Sequence, residues 1–276
     1  MQPLFLAPTT LMDAPPLDLI EAARDAGYDG LGLRLYPSPA LPYHPVVGDA
    51  PLIRQMKRTL ADANLRVLDI YTFYLTPATG LDDFTASLAL GAEFGAGFAL
   101  VQGADPHWPR LLDNFAGFCE RARRFGLAAS LEFVPQRNLA TLAQALQLVT
   151  ESRQPNAVIC VDPLHLARGG GTPDDLRNLD VRLLPYVQFS DGVLAPGEPD
   201  LTLAKRIGVG ERRLPGRGML PLADLLDIVP GDVPLSVEVP HPPGTGMGGA
   251  TWARTVLEET RRFIGARHGI KAEQTR

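Results

Sequence analysis

Eight times along the 276-residue chain, a short and mostly apolar run is followed by a loop and then by a segment whose apolar positions recur at helical spacing. Short apolar runs read as strands and a 3.6-residue period reads as a helix, so the pattern is a series of βα units. The predicted strands are 3–8, 30–36, 66–72, 98–103, 128–134, 157–162, 186–190 and 235–239. Several are apolar throughout, as parallel strands covered on both faces must be. The number eight, a length suited to a closed α/β barrel, and the lack of a Gly-x-Gly-x-x-Gly turn after the first run favour a single-domain (β/α)8 TIM barrel over an open doubly wound sheet. The barrel is expected over 1–265, with 266–276 a polar C-terminal tail.

The helices carry their own punctuation. In 16–26, Leu17, Ile20 and Ala23 share a face, prolines open the segment and Gly27 supplies a left-handed C-cap. Asn138 reads as an N-cap ahead of Leu139, Leu142, Leu146 and Val149, and a last helix over 249–264 aligns Trp252, Val256 and Phe263.

Charge narrows the partners. A net charge of -5, with no basic run longer than the one around Arg121 to Arg124, argues against a phosphate-tracking surface and so against nucleic acid. The N-terminal residues MQPLFLAPTT contain neither a charged leader nor a long apolar stretch, which predicts a cytoplasmic protein with no membrane partner. Cys119 and Cys160 lie in apolar patterns and are expected to be buried free thiols. Exposed barrel faces leave room for a homo-oligomer.

In barrels of this kind the chemistry sits at the C-terminal ends of the strands. The last four predicted strands each place one oxygen-bearing polar residue there, namely Glu132, Asp162, Gln188 and Glu238. Taken singly, each has a bland explanation: an ion pair for Glu132 or Glu238, a turn former before Pro163 for Asp162. Together, three carboxylates in an apolar interior repel one another unless a cation joins them. One divalent ion held by two Glu, one Asp and the Gln amide oxygen resolves the conflict with hard oxygen ligands.

These residues resemble those of the xylose isomerase-like TIM barrels, the sugar phosphate isomerase/epimerase superfamily. Asp162-Pro-Leu-His165 is similar to the family's Asp-x-x-His motif, whose Asp binds metal and whose His contacts substrate. Glu132 and Glu238 match its two metal-binding glutamates, which the resemblance makes the catalytic acid/base pair. The segment Arg212-Arg-Leu-Pro-Gly-Arg-Gly218 resembles its Arg-x-x-Pro-Gly-x-Gly stretch, which implies a substrate-facing Arg212. Most members carry His in a His-x-x-Asp pattern that here reads Gln188-Phe-Ser-Asp191, and the glutamine resembles the 3-dehydroshikimate dehydratases of the same superfamily. An all-oxygen site favours Mn or Mg over Zn or Co.

The expected activity is a metal-dependent isomerase or epimerase of a small polyhydroxylated carbonyl compound, working through a metal-stabilised enediolate. A lyase of the dehydratase type is the alternative, and a non-catalytic sugar-binding barrel is a third reading. His165 is expected to reach a substrate oxygen unless it is only a core histidine. Arg212 either grips an anionic substrate group or is a solvated loop residue beside Glu211. Arg34 and Tyr71, at the ends of the second and third strands, are substrate-pocket candidates, against a rim salt bridge and an ordinary barrel aromatic. His44 and His107 read as surface histidines, and the glycines of 244–249 as either a phosphate cradle or a connector.

Overall fold

The computed structural model describes residues 2–38, 42–194, 212–241 and 247–274, the side chains of 268–274 excepted. All eight predicted strands are present: β1 (Leu4–Leu6), β2 (Gly30–Leu33), β3 (Arg66–Leu75), β4 (Phe98–Gly103), β5 (Ala128–Glu132), β6 (Ala157–Cys160), β7 (Val187–Phe189) and, after a two-residue pair β8 (Asp191–Gly192) and β9 (Arg212–Arg213), β10 (Leu235–Val237). They form one sheet in the order β6-β5-β4-β3-β2-β1-β10-β7, with every pairing parallel. A parallel bridge between Val161 and Val187, with the Gln188 amide donating to the Val161 carbonyl at 2.9 Å, joins the two edges. The result is a (β/α)8 TIM barrel.

The helices on the outside are α1 (Pro16–Ala26), α2 (Ala50–Asp62), α3 (Thr85–Glu93), α4 (Trp108–Arg124), α5 (Leu142–Ser152), α6 (Pro163–Arg168), α7 (Leu222–Ile228) and α8 (Gly249–Gln274). Gly27 closes α1 at φ 90°, and its amide donates to the carbonyls of Ala23 and Arg24, as the sequence predicts. The cap of α5 is corrected from Asn138 to Thr141. The Thr141 hydroxyl accepts from the Gln144 amide, while the Gln144 side chain reaches back to the Thr141 amide. Leu139 is instead tied to the ends of β4 and β5, its amide on the Gly103 carbonyl and its own carbonyl accepting from Val134, so a helix cannot start there. Helix α8 runs on to Gln274, past Ile264.

Most of the core fills the layer between sheet and helices. A separate cluster of Phe5, Ala7, Leu68, Tyr71, Leu100, Cys160 and Tyr186 plugs the inside of the barrel. This plug gives the mouth above it an apolar floor. Both cysteines are buried and free, and among the described residues no helix is long and apolar enough to cross a membrane.

Candidate active site

Glu132 is the last residue of β5, Asp162 caps α6 two residues after β6, Gln188 is the middle residue of β7, and Glu238 follows β10. All are within 5% of complete burial. Strands this short place their final side chains at the open end of the barrel, so four separate chain segments deliver polar groups to one apolar opening.

Arg212, on β9, ties one side of this opening together. Its guanidinium lies 2.6 Å from Asp162 Oδ2 and 3.2 Å from Glu238 Oε2, and donates to the Ser190 hydroxyl at 2.8 Å. It is 6% exposed, which overturns the solvated-loop alternative. Burial works against the charge on Arg212, but Asp162 and Glu238 outweigh it and hold the guanidinium more firmly protonated than usual. Burial by itself would raise the Asp162 carboxyl, yet Arg212 and His165, with the backbone amide of His165, keep it below its ordinary value. Glu132 differs: burial, and then the charges of Glu238 and Asp162, push its carboxyl up to about 8. Its hydrogen-bond donor is neutral, the Gln102 side-chain amide at 2.5 Å.

A buried carboxylate bonded to a neutral amide, beside two further carboxylates sharing one guanidinium, leaves two formal negative charges uncompensated when all three acids ionise. This is the condition for a divalent cation. Glu132, Asp162 and His165 each bring a ligand atom to within 4.8 Å of the others. His165 is 6% exposed, its Nδ1 has no hydrogen-bond partner among the described residues, and burial lowers its pKa to about 4, leaving it the neutral imidazole that coordinates metals. The donor set therefore fits a divalent ion, with His165 as a nitrogen donor beside the oxygens.

Gln188 is oriented differently from a ligand. Its amide nitrogen donates to Glu238 Oε2, and its carbonyl oxygen accepts from the Cys160 thiol at 3.6 Å. A half-turn of the terminal amide exchanges the two atoms. Arg34 makes no ion pair among the described residues; it donates to the carbonyls of Met12 at 3.2 Å and Pro42 at 2.7 Å, bracing the loop after β1 against the loop after β2. Tyr71 is 1% exposed and belongs to the barrel plug, with its phenol pushed up by burial. His44 lies 3.2 Å from the Asp13 carbonyl, and His107 caps α4 by accepting from the Arg110 amide. Glu211 and residues 244–246 of the glycine-rich stretch lie outside the described residues.

Three supporting residues were not singled out in the sequence. Thr9 donates to Glu238 Oε1 at 2.5 Å, Gln102 holds Glu132, and Ser190 accepts from Arg212. Gln102 carries a readable signal, being the polar residue at the end of the apolar run Phe98–Gly103. A fourth feature explains the Pro-Gly-x-Gly segment. The buried Asp191 carboxylate accepts from the amides of Gly192, Gly216, Gly218 and Leu220 at 2.8 to 3.1 Å. A side chain on Gly218 would put its Cβ 2.2 Å from Asp191 Oδ1, so the amide can approach only as glycine.

A profile of the xylose isomerase-like TIM barrel family matches residues 20–264. The chain belongs to that family. No curated protein matches it. Among solved structures, a xylose isomerase-like barrel fused to a 4-hydroxyphenylpyruvate dioxygenase is 20% identical at a TM-score of 0.76; it matches 99% of this chain, which spans 44% of the fusion. The zinc-containing IOLI protein is 17% identical (TM-score 0.76, 96% and 99% of the two chains). A D-allulose 3-epimerase from Methylomonas sp., solved with D-allulose, is 16% identical (0.67, 96% and 97%). The probable 3-DHS dehydratase AsbF from Bacillus anthracis is 15% identical (0.71, 95% and 100%). At these identities the likeness is one of fold.

Proposed function

We propose that this barrel is a divalent-metal-dependent isomerase or epimerase of a small polyhydroxylated carbonyl compound, with Glu132 and Glu238 as its acid/base pair. The observation that carries the reading is the pair of buried glutamates at the barrel mouth, each held by its own donor: Gln102 on Glu132, Thr9 and Gln188 on Glu238. Three steps round the closed barrel separate their strands, β5 and β10, so a substrate seated between them meets a carboxyl on two sides. Glu132, Asp162 and Glu238, with Gln188 or His165, would hold the ion. When bound, a divalent cation supplies Lewis-acid polarisation of a carbonyl and its neighbouring hydroxyl. Manganese or magnesium suits an oxygen-rich set, while His165 as fourth ligand moves the balance toward zinc or cobalt.

The residues of the chain divide the proton work. Glu132, held by one neutral donor at the end of β5, is suited to take up and return a proton at the carbon next to the carbonyl. Glu238, fixed through both oxygens, delivers or removes a proton on the other substrate face. Arg212 keeps Asp162 ionised, and His165 faces the same opening. Return of the proton to the opposite face gives an epimer, and return to the neighbouring carbon an aldose/ketose isomer.

Gln188 in place of the family's more usual imidazole favours a second reading, dehydration of a keto sugar or cyclic keto acid. Incubation with candidate substrates in deuterated water separates them. Deuterium at the α carbon supports the isomerase or epimerase, an unsaturated product the dehydratase. A metal-loaded protein that binds sugars yet neither exchanges a proton nor forms an unsaturated product overturns both and leaves a binding barrel.

A further inference from the structure

Strand β3 extends to Leu75, beyond the predicted end at residue 72, and the extension carries Tyr74 up to the barrel mouth. Tyr74 is in register with Gln102, and Gln102 with Glu132. In-register residues of neighbouring parallel strands share a face, so these three form one row across β3, β4 and β5. The contact of Gln102 with Glu132 confirms the orientation of that half of the row.

Beyond Tyr74 the row opens into a cavity of about 540 Å³, lined among others by Tyr36, Ser38, Asp83, Phe84 and Arg137. Arg137 follows β5 and lays its guanidinium over the Tyr74 ring, 4.9 Å from the centroid. Among the described residues it makes no ion pair, in contrast to the buried Arg212. A guanidinium resting over an aromatic ring has N–H donors that the ring does not occupy, and those donors match a carboxylate two at a time. The cavity also contains the exposed carboxylate of Asp83. A phosphate, at nearly two negative charges, suffers more from that acid than a singly charged carboxylate does.

We infer that the cavity binds a carboxylate of the substrate through Arg137, so that the substrate is a sugar acid or related keto acid whose carboxylate lies at the end remote from the reacting carbonyl. The inference rests on the acid/base role proposed for Glu132. Two strand spacings, on the order of 10 Å, separate the backbones of Tyr74 and Glu132, so the anionic group lies well away from the carbon that exchanges its proton. Tyr74, in the row between the cavity and Gln102, supplies a flat wall for the carbon skeleton between the two ends.

Calorimetric titration of the metal-reconstituted protein with D-glucuronate, D-glucose and D-glucose 6-phosphate tests this. Glucuronate is expected to bind about ten- to a hundredfold more tightly than glucose, the range of one charge-assisted forked contact. Arg137→Met should bring glucuronate down to the level of glucose without changing glucose, and Arg137→Lys should restore part of the difference. Equal or undetectable binding of glucuronate and glucose overturns the inference, as does a preference that survives Arg137→Met. Glucose 6-phosphate binding as tightly as glucuronate overturns the assignment to a carboxylate. An α-proton exchange assay on the unsubstituted metal-reconstituted protein separates the two proposals: a preference for glucuronate that Arg137→Met abolishes, in a protein that exchanges no α proton, removes the acid/base reading alone.

Discussion

Asp162 and Glu132 end neighbouring parts of the same barrel mouth at nearly the same depth, 0% and 4% exposed, yet their carboxyls shift in opposite directions. On the side of β6, β7 and β10, Asp162 and Glu238 share the guanidinium of Arg212. On the side of β3, β4 and β5, Glu132 has a neutral amide and, beyond it, an open cavity. Burial penalises both acids; the placement of one cation decides which of them stays ionised. One half of the mouth is thus arranged to keep its acid ionised and the other to favour the protonated form.

Removing either acid breaks the comparison most severely. Glu132→Gln and Glu238→Gln should each lower turnover by about a hundredfold to ten-thousandfold, the range for a lost general acid or base, in an assay of α-proton exchange. Retention of wild-type rates by both would refute the division of labour. Next in size, Arg212→Met leaves Asp162 and Glu238 without their guanidinium in a buried setting, and should cost about 3–5 kcal/mol of stability in chelator-treated protein by urea unfolding. Added divalent ion should recover much of that loss, since it restores positive charge to the same carboxylates.

A third prediction concerns pH. The Glu132 carboxyl is raised from its ordinary value of 4.5 to about 8, so the folded state favours its protonated form. Its contribution is complete below about 4.5 and is lost as pH rises through 8, with a slope of at most about 1.4 kcal/mol per pH unit. Asp162, lowered instead, contributes above its ordinary value of 3.8 and loses its contribution as pH falls. Urea midpoints of metal-free protein should therefore fall between pH 4.5 and 8, and Glu132→Gln should flatten part of that fall. Smallest are the supporting contacts. Gln102→Leu and Thr9→Val each remove one buried hydrogen bond, at about 1 kcal/mol. Of the two, only Gln102→Leu should carry the fall of the metal-free urea midpoint on to higher pH, because the Gln102 amide is one of the groups that draw the Glu132 carboxyl down.

The barrel was legible because parallel strands covered on both faces must be apolar almost throughout, and eight such runs punctuate the chain. Glu132, Asp162 and Glu238 stood out for the same reason, as acids inside apolar runs. Partners that are polar but neutral, or far away in sequence, gave no such contrast. Thr9 reaches Glu238 across 229 positions, and only closure of β1 against β10 brings them together. Arg34 follows the end of β2 as expected but turns to backbone carbonyls, whereas Tyr71, expected at the end of the third strand, lies mid-strand because β3 runs on to Leu75, and so falls in the plug below the mouth. The end of β3 was set too early: Phe73, Tyr74 and Leu75 suit a strand by composition, and their pairing with β4 carries the strand on to Leu75.

The Asp191 carboxylate has a consequence for how such an enzyme diversifies. It gathers the amides on the far side of Arg212, while β8 and β9 pair Asp191 with Arg213 and Gly192 with Arg212. Both ends of the stretch 195–211 are thereby clamped next to the charged half of the mouth. Side chains on this backbone frame can then be exchanged without displacing the guanidinium, which makes the frame a natural place for evolution or grafting to retune the mouth.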